Sequence, residues 1–333
     1  MTSSDRAPPK PAVAVTGATG FVGSALVPAL RQGGHSVRAL VRTTGSTAAN
    51  EEYLVADPDP RRMTEAVGMF RGIQCVVHLA ARVHVMRESE AEPLAAFRRV
   101  NVDWTLQLAR AAAEAGVRRF VFLSSVKVNG EVTAPGAAFT SEDLPAPADP
   151  YAISKYEAEL ALTELGRGSA MDVVIIRPPL VYGPGVKGNF ETMMRWLRTG
   201  LPLPLGAIDN KRTLLAVGNL VSLIESCLEH SAARGRVLLA GDDEDLSTTE
   251  LLRRMATALG TQARLIPVPS PVLRGVARLL GRSEIAQRLC ANLQVDSRTT
   301  RELLGWRPPF RVDEGLRGAA SCFLEAEGRA RRK

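Results

Sequence analysis

Cysteine is scarce in this chain: four residues in 333, at positions 75, 227, 290 and 322, with no Cys-x-x-Cys pair. That spacing excludes a disulfide scaffold and a zinc ribbon, and reads as buried thiols of a reducing compartment. Histidine is as sparse, at four residues with no His-rich tract, so no metal site is expected. No apolar run approaches the roughly 20 residues that a membrane span needs. The first eleven residues, Met1 to Pro11, are polar and proline-rich and are read as a disordered tail. A soluble cytoplasmic protein without an integral membrane segment is therefore expected. Internal repeats and low-complexity tracts are missing too. What remains is ordinary globular composition, 45% hydrophobic and 23% charged, with length for one large α/β domain or two smaller ones. The formal net charge of +7 suits anionic ligands such as nucleotides and phosphates, although a basic solvated surface explains it equally well. No nucleic-acid partner is expected.

Apolar strands alternate with helices along the first half. Ala12–Thr16, Ser36–Val41, a weaker segment ending at Asp57, Gln74–His78, Phe120–Ser124 and Val173–Arg177 read as strands. Helices are expected at Phe21–Arg31, near Arg61–Phe70, from about Pro93 to Glu114, and around Tyr151. Such alternation implies a doubly wound parallel sheet with helices on both faces. After Gly183 the regularity fades into helices near 190–198, 218–230, 247–259 and 271–280, which predicts a smaller, mostly helical lobe. The expected division is a dinucleotide-binding domain over 12–182 and a mainly substrate-binding lobe over 183–325, some of it returning to the sheet. A basic tail, 326–333, follows.

Five segments carry chemistry. Thr16-Gly17-Ala18-Thr19-Gly20-Phe21-Val22-Gly23 lies between the first strand and the first helix. There Gly17 permits a tight turn, Gly20 lets backbone approach a pyrophosphate at the helix N-terminus, and Gly23 allows close packing of helix on strand. Thr19, Phe21 and Val22 belong to the same cofactor turn. At the second strand end, where an NAD-binding fold places an acid for the ribose hydroxyls, this chain has Val41-Arg42. Arg42 either pairs with the 2′-phosphate of NADP or stacks over adenine while Asp57 bonds the base, and NADP is favoured slightly over NAD. The small segment Leu79-Ala80-Ala81 suits passage beside a cofactor. Ser124-Ser125 closes a strand at the crevice of the sheet, where a hydroxyl can donate to a substrate oxygen. Tyr151 and Lys155 stand four apart on one helix face, so an ammonium can favour the phenolate form.

The Thr-Gly-x-x-Gly-x-x-Gly turn, Leu79-Ala80-Ala81, Asn101, Ser124-Ser125, Tyr151-x-x-x-Lys155 and Arg177-Pro178 occur in an order that resembles the extended short-chain dehydrogenase/reductases of the epimerase/dehydratase family. The resemblance runs over nearly the whole chain and implies a Rossmann-type fold. It makes Ser125, counted back from Gly130, the catalytic serine, Tyr151 the acid/base, and Lys155 the residue that holds the nicotinamide ribose. Asn101, Ser124 and Pro178 join the cofactor set. Ser125, Lys127, Asn189, Phe190 and Arg212 are implied on the substrate side, Arg212 at a phosphate. The phrasing around Ser124–Glu131 and Pro184–Phe190 resembles a UDP-glucose 4-epimerase-like bacterial subgroup of surface-polysaccharide assembly. Val126 and Lys127 replace the acidic pair of the 4,6-dehydratases, which argues against dehydration. The implied activity is NAD(P)-dependent chemistry at C4 of a UDP-hexose or UDP-N-acetylhexosamine, either 4-keto reduction or 4-epimerisation, in a homodimer. The alternative is an NADPH-dependent reductase of a non-sugar ketone or aldehyde.

Overall fold

The computed structural model describes residues 10–54, 63–83 and 92–330. Asp57 lies outside them. In chain order the elements are β1 (Val13–Thr16), α1 (Phe21–Gln32), β2 (Val37–Val41), β3 (Glu51–Leu54), α2 (Met63–Gly68), β4 (Cys75–His78), α3 (Pro93–Arg98), α4 (Thr105–Glu114), β5 (Arg119–Leu123), α5 (Pro150–Arg167) and β6 (Asp172–Arg177). Then come β7 (Leu180–Tyr182), α6 (Asn189–Thr199), β8 (Arg212–Ala216), α7 (Val217–Glu229), β9 (Val237–Leu239), β10 (Asp245–Leu246), α8 (Thr248–Ala258), α9 (Ser270–Leu279), α10 (Ser283–Cys290), α11 (Arg298–Leu304) and α12 (Val312–Ala330).

The chain divides into two compact units. The first comprises 1–128, 147–176 and 224–237; the second comprises 129–146, 177–223 and 238–333. A seven-stranded sheet in the order β3-β2-β1-β4-β5-β6-β9 organises the first unit. Its paired strands run parallel, with Val13 beside both Val37 and Cys75, and Cys75 beside Arg119. This is the expected doubly wound Rossmann sheet. Its central strands bury every residue of β1 and β4, because helices cover both faces and leave no polar side to alternate. Phe70, Leu108, Phe120, Phe122 and Leu162 form the core on one of those faces.

The stretch expected as one helix from Pro93 to Glu114 is instead α3 and α4 joined by a π-helical segment, Arg99–Trp104. A π turn inserts one residue into an α-helix and commonly sits at a functional site. Here it carries Asn101. Helix α5 starts where the Asp149 carboxylate accepts from Ala152 N at 2.7 Å and Pro150 takes the first helical position, whose N–H needs no partner.

The second unit has a three-stranded sheet, β10-β8-β7, backed by α6, α8 and α12 around Phe190, Met194, Leu252, Met255 and Phe323. A buried polar knot ties it together. The Tyr182 hydroxyl donates to Asp242 Oδ2 at 2.7 Å, while Asn219 Nδ2 and Ala216 N donate to Oδ1 of the same carboxylate at 2.7 and 3.0 Å. Burial, with Asp242 beside it, pushes the Tyr182 phenol well above its ordinary range. Helix α12 runs through 326–330, residues read from the sequence as tail.

Candidate active site

The turn after β1 is shaped by glycine. Gly17 has a φ of +67°, and a Cβ there would lie 2.8 Å from Ala80 N and 2.9 Å from Leu79 C, so the turn lies directly against the segment leaving β4. A Cβ on Gly23 would come within 2.2 Å of Gly17 O. Gly20 N donates to Gly17 O at 2.9 Å, which closes the turn, and Gly20 caps α1 without a side-chain bond. No acidic side chain occupies the first turn of α1. The exposed N–H groups and helix dipole there form a cradle for an anion, and the fit to a dinucleotide pyrophosphate is good.

A buried relay fixes the neighbouring strand ends. Thr16 Oγ1 lies 2.9 Å from His78 Nδ1, His78 Nε2 lies 2.9 Å from Thr105 Oγ1, and Ala80 N donates to Thr16 Oγ1 at 3.2 Å. Burial first, and Lys155 second, lower the His78 imidazole to about 3, so it stays neutral and serves as a spacer. Asn101, 1% exposed, accepts from Arg82 N at 2.8 Å and donates to Arg82 O and Ser154 Oγ, each at 3.0 Å. The π turn therefore clamps the segment leaving β4 to α5.

The two serines part company. Ser124 is buried, its N–H bonded to Ile176 O at 2.7 Å and its hydroxyl donating to the Glu159 carboxylate. That hydroxyl is spent inside the protein, so only the main chain of Ser124 remains for a cofactor. Ser125 is half-buried, and among the described residues its Oγ accepts only a long 3.3 Å contact from Lys127 N within the 3-10 turn Val126–Val128. The Lys127 ammonium pairs with Asp149, the cap of α5. This ion pair ties the serine turn to the helix start that carries Tyr151.

Tyr151 is half-buried, edge-on to Phe97 at 6.2 Å. Burial and then Asp149 push its phenol up to about 12. Lys155 is 1% exposed, with Nζ 3.9 Å from the centre of the Phe122 ring. Burial pulls its ammonium down to about 7, against an upward pull from Glu159. The expected help from Lys155 to the Tyr151 phenolate is outweighed in the protein alone by burial of the phenol and by Asp149. Glu159, one turn beyond Lys155, went unnoticed in the sequence. Its signal was the i+4 spacing that continues Tyr151-x-x-x-Lys155 by one further turn.

Arg42 is exposed just past β2 and makes no ion pair among the described residues. The carboxylate on the next strand, Glu52, accepts from Thr47 Oγ1 at 2.7 Å and from the N–H groups of Gly45, Ser46 and Thr47. It organises the loop after Arg42. Pro178 is buried just after β6.

In the second unit Asn189 is exposed at the start of α6. The Phe190 side chain is different: 2% exposed and stacked 5.5 Å from Tyr182. It belongs to the core, so only its backbone can meet a ligand. Arg212 opens β8 and donates from Nη1 to Arg288 O at 3.0 Å and Ala291 O at 3.2 Å, and burial lowers its pKa. Part of its fork caps the end of α10. Among the described residues no group of His, Cys, Asp and Glu could hold a metal ion, and no helix is long and apolar enough to cross a membrane.

A family model described as NAD dependent epimerase/dehydratase matches residues 13–241. The chain belongs to that family. A UDP-glucose 4-epimerase of Vibrio cholerae is 44% identical over 331 residues, covering 99% of this chain and all of that one. A UDP-glucose 4-epimerase of Mycolicibacterium smegmatis is 31% identical over 326 residues, covering 93% and 97% of the two chains. The solved structure of MoeE5 in complex with UDP-glucose and NAD matches with a TM-score of 0.74 at 26% identity, covering 95% of this chain and 99% of that one. As a member of the epimerase/dehydratase family the protein is an NAD-dependent enzyme of the extended short-chain dehydrogenase/reductase type.

Proposed function

We propose that the protein epimerises a UDP-hexose at C4, with Tyr151 as acid/base, Ser125 as the donor to the C4 oxygen and Lys155 as the cation of the site. The observation that carries this reading is full-length similarity, at 44% identity, to a UDP-glucose 4-epimerase. The separation of the serines supports the choice of Ser125, since Ser124 is committed to Glu159.

A nicotinamide dinucleotide bound on the Gly17–Gly23 turn supplies hydride acceptance and return at C4. Tyr151 takes the proton of the C4 hydroxyl and gives it back, and the Ser125 hydroxyl stabilises charge on the same oxygen. Lys155 sets the field in which the phenol titrates. With Tyr151 up near 12 and Lys155 down near 7 in the protein alone, the phenol holds its proton at neutral pH and the lysine is the group that titrates there. The second unit serves as the substrate lobe in this reading, with Asn189, the backbone at Phe190 and the remaining donors of Arg212 facing a nucleotide diphosphate. The buried thiols of Cys75, Cys227 and Cys290 suit the reducing cytoplasm. Homodimerisation and a place in surface-polysaccharide assembly complete it.

Incubation of the purified protein with UDP-glucose and NAD tests the reading; UDP-galactose should form without net consumption of cofactor. The exposed Arg42, with no acid at the β2 end, favours a second reading: an NADPH-consuming reductase of a 4-keto nucleotide sugar. Stoichiometric NADPH oxidation without epimerisation would select it.

A further inference from the structure

The hairpin of α9 and α10 presents an apolar stripe to solvent. Leu279 is 88% and Leu280 68% exposed, and Val272, Val276 and Ile285 are each about half exposed. Val272, Val276 and Leu279 follow the i, i+4, i+7 spacing of one helix face, so the exposure is a stripe and not scattered residues. Leu273 and Leu289 pack on the core of the second unit, which fixes the hairpin without covering the stripe. No residue of α9 is fully buried. Solvent-facing leucine and valine in this density are costly unless something covers them.

Charge indicates what does. The stretch from Ser270 to Cys290 holds four arginines, Arg274, Arg278, Arg282 and Arg288, against one acid, Glu284. Arg288 pairs with Glu284 at 3.6 Å and Arg274 donates to Cys290 O at 3.3 Å. Arg278 and Arg282 have no ion pair among the described residues. Around the helix Arg274 and Arg278 lie across from Val272, Val276 and Leu279. An apolar stripe opposed by arginines on a short helix is the pattern of a segment lying in a membrane interface, the aliphatic side chains entering the acyl boundary and the guanidiniums reaching phosphate headgroups. A second copy is a poorer occupant. Each hairpin carries four arginines against one glutamate, so two copies brought together bear like net charge and repel.

We propose that α9 and α10 form a peripheral docking face for an anionic lipid bilayer, holding the protein on the membrane surface without spanning it. The proposal rests on the exposed stripe and its arginines, independently of the catalytic assignment.

Co-sedimentation of the full chain with extruded vesicles tests it, using phosphatidylglycerol–phosphatidylethanolamine mixtures beside pure phosphatidylcholine. Binding is expected to the anionic vesicles and to weaken as salt is raised. The double variant Leu279→Asp/Leu280→Asp should bind at least ~10-fold more weakly. A second variant, Arg278→Glu/Arg282→Glu, leaves the stripe intact and should lose anionic selectivity, with thermal melts showing that both variants remain folded. Three results would overturn the proposal: no vesicle binding by the unaltered chain, binding that neither variant weakens, or an oligomer of the unaltered chain that Leu279→Asp dissociates, which would assign the stripe to a second copy.

Discussion

Glu159→Gln isolates one charge behind the candidate site. Gln keeps an acceptor for the Ser124 hydroxyl and nearly the same volume, so the hydrogen bond that holds the end of β5 to α5 survives. What disappears is the negative charge that raises Lys155, whose ammonium burial alone drives below its ordinary range. A buried pair one helix turn apart is worth on the order of a few kcal/mol, and solvent and neighbouring dipoles reduce that, so a drop of about one unit, roughly 1.4 kcal/mol, is a conservative expectation. Lys155 starts from about 7, and loss of an opposite charge lowers it further. The protonated fraction at neutral pH therefore falls. If the charged form is the working form, the alkaline limb of kcat/KM against pH should move about one unit toward acid, giving a ~10-fold loss at pH 8 and much less at pH 6. Stability should move oppositely with pH. A lysine held below its unfolded value costs nothing when neutral in both states, and its cost grows as pH falls through the unfolded and then the folded pKa. The Gln variant should accordingly lose more stability at pH 6 than at pH 9. Superimposable pH profiles for variant and parent would refute the positioning role of Glu159.

Tyr151→Phe should lower turnover at least ~100-fold while dinucleotide affinity, read by calorimetry, is kept; retention of more than about a tenth of turnover would remove the acid/base assignment. Arg42→Ala should weaken NADPH by roughly 1–3 kcal/mol and leave NADH nearly unchanged, whereas equal losses would mean stacking over adenine. Tyr182→Phe strips Asp242 of one donor in a buried knot and should cost about 1–3 kcal/mol in denaturant unfolding, with cofactor affinity unaffected. An unchanged midpoint would show that the carboxylate finds another partner.

Much of the first unit was legible because its signals are local. Continuous apolar runs marked β1, β4, β5 and β6, and glycine spacing marked the turn after β1. The helix read around Tyr151 is α5. The rest depended on packing at long range. The π turn at Arg99–Trp104 escaped because one inserted residue hardly disturbs a helical apolar pattern. Strands β7 and β10 escaped because runs of two or three residues carry too little periodicity to register, and β8 because polar Arg212 and Thr213 fill its first two positions. Phe190 was readable as an aromatic in the right motif, yet its stacking on Tyr182 is decided by a core assembled from distant segments. The same holds for His78, a histidine in an apolar strand whose neutral bridging role needs Thr16 and Thr105 in place.

In the proposed reaction hydride leaves C4 of a UDP-hexose and returns to the same carbon within one bound encounter. UDP-glucose deuterated at C4 gives the most direct measurement, with the label followed by mass spectrometry in the epimerised product. UDP-galactose is expected to form with deuterium retained at C4 and without added reductant. Product that has lost the label, or no product with Ser125, Tyr151 and Lys155 intact, would contradict it.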